Sequence, residues 1–95
     1  MTKQSFATVW DAIEDTPEAA ANMRARSELM MALESHIKAQ GWSQALAAKH
    51  LGVTQPRISD LLRGKIDLFG IDHLINMLSR GGLQVEMQVS PKVAA

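Results

Sequence analysis

The sequence predicts a mainly α-helical bundle of about five helices, closed by one C-terminal β-strand. Three observations predict it. Apolar residues recur at the three-and-four spacing of a helix face over most of the chain. Capping residues and glycines cut that pattern into segments, and only residues 83–89 switch to strict alternation. At 95 residues the chain suffices for one compact domain and is too short for two. Its 46% hydrophobic content is ordinary for a globular protein. Cysteine is absent, which excludes disulfides and cysteine-ligated metals and fits a reducing compartment. No apolar run has the length of a membrane span or the pattern of a signal peptide. The expectation is a cytoplasmic protein with no membrane partner.

The first element is short. Phe6, Val9, Trp10 and Ile13 follow the i, i+3, i+4, i+7 rule of a narrow amphipathic helix, among Asp11, Glu14, Asp15 and Glu18. Such a segment either packs on its own domain or folds into a partner's groove. Both readings stay open. Thr16-Pro17-Glu18 is a strong helix start, with a capping hydroxyl, proline in the first turn and an acid at the positive end of the helix dipole. That helix is expected to run to about Gln40, with a break near Asn22, burying Leu29, Met30, Leu33 and Ile37 before Gly41 ends it. Trp42 then packs the junction. The implied division is an N-terminal segment over 1–22, a core domain over 23–82 and a C-terminal strand and tail over 83–95.

Residues 44–65, QALAAKHLGVTQPRISDLLRGK, organise the rest. They read as two short helices joined by a tight turn. Ser43 caps the first, Gly52 takes a left-handed conformation after it, and Thr54 caps the second. Val53 and Ile58 occupy the two positions of a hydrophobic staple, and Pro56 lies in a first turn where no hydrogen bond is lost. Ala47, Ala48 and Leu51 share one face; Ile58, Leu61 and Leu62 share another. Gln55, Arg57, Ser59 and Arg63 are left to solvent, a set suited to base edges and phosphates. The arrangement is a helix-turn-helix whose recognition helix runs from Gln55 to Arg63.

After Gly64, Ile66, Leu68 and Phe69 are expected to turn inward. Gly70 starts a helix marked by Ile71, Leu74, Ile75 and Leu78, with Phe69 and Leu74 as its staple, and Gly81-Gly82 stops it. Leu83, Val85, Met87 and Val89 then alternate with Gln84, Glu86 and Gln88. A lone strand leaves its backbone unpaired, so these four residues are expected to build a two-fold ladder with a second copy.

The chain is formally neutral, yet the charge is uneven. Residues 41–65 carry Lys49, Arg57, Arg63 and Lys65 against Asp60 alone, so positive charge gathers on the motif. Catalytic chemistry is not legible. His36, His50 and His73 lack the spacing of metal ligands, Ser59-Asp60 has no triad context, and no glycine-rich phosphate loop occurs. Neither an enzyme nor a cofactor or metal site is expected.

The run Ser43-Gln44, Ala48, Leu51 to Gln55, Ile58-Ser59, Leu61 and Arg63-Gly64-Lys65 resembles the Xre family of phage-repressor-like regulators. With Gln55-Pro56-Arg57 and Gly64 to Phe69 the wider pattern is similar to the subgroup of HigA-type antitoxins, over roughly residues 24–89. Leu46 departs from it, being apolar where relatives carry a polar or small residue. The resemblance implies a lambda-repressor-like bundle and a homodimeric regulator that binds a palindromic DNA operator, as an autorepressor. Base contacts would come from Gln55 and Arg57, with Ser59 and Pro56 beside them. Thr54 would sit at the helix entry, and Gln44, Arg63 and Lys65 would hold phosphates. An alternative role is an antitoxin that neutralises a small basic ribonuclease toxin, with Phe6, Val9, Trp10 and Ile13 as the partner surface.

Overall fold

The computed structural model describes residues 16–93. They form four α-helices, α1 (Pro17–Gln40), α2 (Gln44–Leu51), α3 (Gln55–Leu62) and α4 (Ile71–Arg80), with a 3-10 turn at Ile66–Leu68 between the last two. The segment bearing Phe6, Val9, Trp10 and Ile13, expected to be a fifth helix, lies outside the described residues. The fold is mainly helical.

Local chemistry sets the helix limits. Thr16, Ser43 and Thr54 each accept a hydrogen bond from the backbone N–H three residues on, to Ala19 at 3.0 Å, Leu46 at 3.2 Å and Arg57 at 3.4 Å. Each helix is followed by a glycine of positive φ, at Gly41, Gly52, Gly64 and Gly82. Beyond these glycines the chain folds back on the last turn. Trp42 donates to Ile37 O, Val53 to Ala48 O, Lys65 to Asp60 O and Leu83 to Leu78 O, the long bond of a Schellman motif. The 24-residue α1 runs unbroken past Asn22, where a break was expected. Alanines at 19, 20, 21 and 25 favour that continuity.

One core joins the helices. Met30, Leu33 and Ile37 of α1, Ala47, Ala48 and Leu51 of α2, Ile58 and Leu61 of α3, and Leu74, Met77 and Leu78 of α4 meet around Phe69. Phe69, Leu33, Leu51, Ile58 and Leu74 are the largest fully buried side chains. Leu68 was expected inside but is 46% exposed. A three-residue 3-10 turn points successive side chains about 120° apart, so Ile66 and Leu68 cannot both face the core that Phe69 fills. Arg26 of α1 fastens this turn, donating from Nη1 to Ile66 O at 3.3 Å. Trp42 seals the α1–α2 junction, stacked on His50 at 4.2 Å and edge-on to His36 at 5.3 Å. His36 in turn lies 3.1 Å from Gly81 O through Nε2.

The C-terminal segment corrects an expectation. Among the described residues there is no β-strand, and residues 83–93 have no regular hydrogen-bonded structure. Leu83 and Val85 pack on the core, whereas Met87 and Val89 are 78% and 89% exposed. Alternation therefore places only half of the expected apolar face. A ladder needs a neighbouring strand, and none of the described residues supplies one.

Candidate nucleic-acid interface

The site is the outward side of α3, and its precision comes from what lies behind it. Ile58 and Leu61 are 0% and 3% exposed, so the helix cannot roll without opening the core. Ala47 and Ala48 of α2 let the two helices approach closely. The turn between them depends on Gly52, at φ 74°. A Cβ there would be strained and would also meet the Arg80 side chain at 2.6 Å.

The sequence-predicted residues separate into three groups. Gln55, Pro56 and Arg63 are exposed along α3 and Ser59 is half-exposed beside them, while Gln44 stands exposed in the first turn of α2. Thr54 spends its hydroxyl on the cap. Arg57 does not join the outward row. Its guanidinium lies 4.2 Å above the Phe69 ring, and the residue is half-buried. Helical phase explains this, since a helix turns about 100° per residue and Arg57 falls only about 40° from the buried Leu61. Lys65 is paired with Asp60 of the recognition helix, Nζ to Oδ1 at 3.5 Å. Leu46 faces outward, 45% exposed, as its helical phase requires.

Sequence reasoning missed a polar stripe on α4. His73, Asn76 and Arg80 line a recess with Arg57 and the α2–α3 turn. Their i, i+3, i+7 spacing is that of one helix face, which is the signal that could have found them. Among the described residues, no three histidine or acidic side chains come together as metal ligands, and no helix is long and apolar enough to cross a membrane.

A recognition helix held by its inner residues and presenting an amide, a hydroxyl and a guanidinium to solvent defines a DNA-binding domain. Comparison with known proteins agrees. A family model described as a helix-turn-helix domain matches residues 12–90. A solved chain provisionally named as an XRE family transcriptional regulator superposes with a TM-score of 0.73 at 31% identity, covering 80% of this chain and 90% of that one. No curated protein matches. The chain belongs to the helix-turn-helix domain family, and within it to the XRE-type regulators. It is a DNA-binding transcriptional regulator.

Proposed function

We propose that the chain acts as a homodimeric autorepressor at a near-palindromic operator. The observation that carries this reading is the exposed side of α3 from Gln55 to Arg63, backed by buried Ile58 and Leu61. Gln55 is the principal base reader through its amide, with Ser59 and Pro56 along the same edge. Gln44, Arg63 and Lys65 hold phosphates, Lys65 exchanging Asp60 for the backbone. Arg57, held over Phe69, stands at the flank and reaches the backbone rather than a base. Residues 23–82 form the DNA-binding unit. Leu83, Val85, Met87 and Val89 pair across a two-fold axis that sets two recognition helices roughly 34 Å apart. The exposure of Met87 and Val89 supports this, since a second copy would cover them.

Gln55→Ala is expected to cost about 1–3 kcal/mol on the cognate operator and almost nothing on scrambled DNA. Equal losses on both duplexes, in parallel titrations at fixed salt, would remove Gln55 as a reader.

A second reading adds a toxin partner, and the acidic surroundings of the Phe6, Val9, Trp10 and Ile13 stripe favour it, because they complement a basic protein. Deleting residues 1–15 is then expected to leave a folded, DNA-binding chain that no longer neutralises a ribonuclease encoded beside it. A truncated chain that is unfolded at room temperature would assign the stripe to the core instead.

A further inference from the structure

Beside the recognition helix lies a recess that the base-reading face does not use. It opens between the α2–α3 turn and α4, has a volume of ≈ 310 Å³, and is rimmed by Gly52, Arg57, His73, Asn76 and Arg80. Leu51, Val53 and Met77 contribute apolar surface to its lining. That volume is at the small end of ligand sites, which begin at roughly 300 Å³. No carboxylate lines it. Among the described residues neither Arg57 nor Arg80 has an ion-pair partner, and Asp60, the one acid of α3, is paired with Lys65.

Both guanidinium groups are placed by the fold. The Arg80 side chain lies across Gly52, close enough that a Cβ at residue 52 would sit 2.6 Å from Cδ and 2.9 Å from Nε and Nη1. The bare glycine leaves the space over the turn that Arg80 occupies. Arg57 is held from its face by the Phe69 ring at 4.2 Å. A guanidinium stacked in this way keeps its N–H donors in its own plane, free to point sideways. Two such forks, with no acid between them, match the oxygens of a phosphate better than any neutral group.

We propose that this recess is a phosphate-binding site, with Arg80 and Arg57 supplying charge and Asn76 and His73 supplying lateral hydrogen bonds. Two sources carry the same chemistry. One is the backbone of a bound duplex, which rests on the DNA-binding reading above; the other is a free phosphorylated small molecule, which does not.

The test uses the full chain, its Arg80→Gln variant and a second variant, Asn76→Asp. The second places a carboxylate in the recess four residues before Arg80 on the same helix face, where it can pair with the guanidinium and repel an anion. In one arm, phenyl phosphate is titrated while the amide resonances of Gly52, Asn76 and Arg80 are followed. In the other, affinity for operator and scrambled duplexes is measured against salt. If the duplex supplies the phosphate, both variants lose affinity on the two duplexes alike, roughly tenfold. The log–log salt slope for Arg80→Gln then flattens by about one. If a small molecule supplies it, phenyl phosphate gives saturable shifts confined to the recess, weakened about tenfold in both variants, while DNA binding is unchanged. Unaltered behaviour of both variants in both arms overturns the proposal. A wild-type chain that binds no duplex would instead sink the DNA-binding reading, and the phenyl phosphate arm would still decide the recess.

Discussion

Replacing Phe69 by Ala is expected to destabilise the domain by about 3–5 kcal/mol, the range for emptying a buried phenylalanine site. Phe69 is fully buried, follows the 3-10 turn, and stands at the meeting point of the helices. A small domain has only about 5–15 kcal/mol in hand, so the variant should lose a large share of its stability. The ring also carries the Arg57 guanidinium at 4.2 Å. Phe69→Leu separates the two roles, because it keeps most of the apolar volume and removes the π-face. Its stability cost should be near or below about 1.5 kcal/mol. Its DNA affinity should nevertheless fall, because Arg57 loses the surface that orients it. Denaturant titrations of both variants, with DNA binding measured on the folded Leu variant, give the answer. A loss below about 1 kcal/mol for Phe69→Ala would mean that the core closes over the gap and that Phe69 is no keystone.

Removing the apolar end of the C-terminal segment is expected to have the largest effect on operator binding. A chain ending at Glu86 keeps Leu83 and Val85, which pack on the core, and keeps the Leu83 N–H bonded to Leu78 O at 2.9 Å. It loses Met87 and Val89, which are exposed in the single chain. Such a chain should fold normally and scatter light as a monomer. Its operator affinity should drop by about 10²–10⁴-fold, because two linked half-site contacts become two separate ones. A dimer of undiminished affinity would place the two-fold axis on a helical face instead. The recess beside Leu29, Ile71 and Ile75, which Val85 and Met87 border, would then be the first surface to examine.

What could be read in the sequence was what depends on near neighbours. The three hydroxyl caps and the glycine turns involve residues at most five apart, and Thr16, Ser43, Thr54, Gly41 and Gly52 fall where they were expected. The inner face of the motif was equally legible, since helical phase alone groups Ala47, Ala48 and Leu51, and Ile58 with Leu61. Arg57 was harder. Phase puts it at the edge between faces, and its direction is decided by Phe69, twelve residues away and beyond a turn. Arg80 is farther still, and its role is visible only once α4 lies against Gly52. The alternation over residues 83–89 was real but ambiguous, because periodicity describes which side chains share a face and says nothing about where a partner strand would come from.

The division of α3 into a buried inner side and an open outer one bears on how such a regulator can diverge. Ile58 and Leu61 answer to folding, while Gln55, Ser59 and Arg63 are largely free of it. On the reading proposed above, inherited changes at Gln55 and Ser59 would alter which operator is recognised, and changes at Arg63 how tightly, while leaving the scaffold intact. A duplicated copy could in this way acquire a separate regulatory target through a few viable single steps. Changes on the inner side would be purged before any new target was sampled.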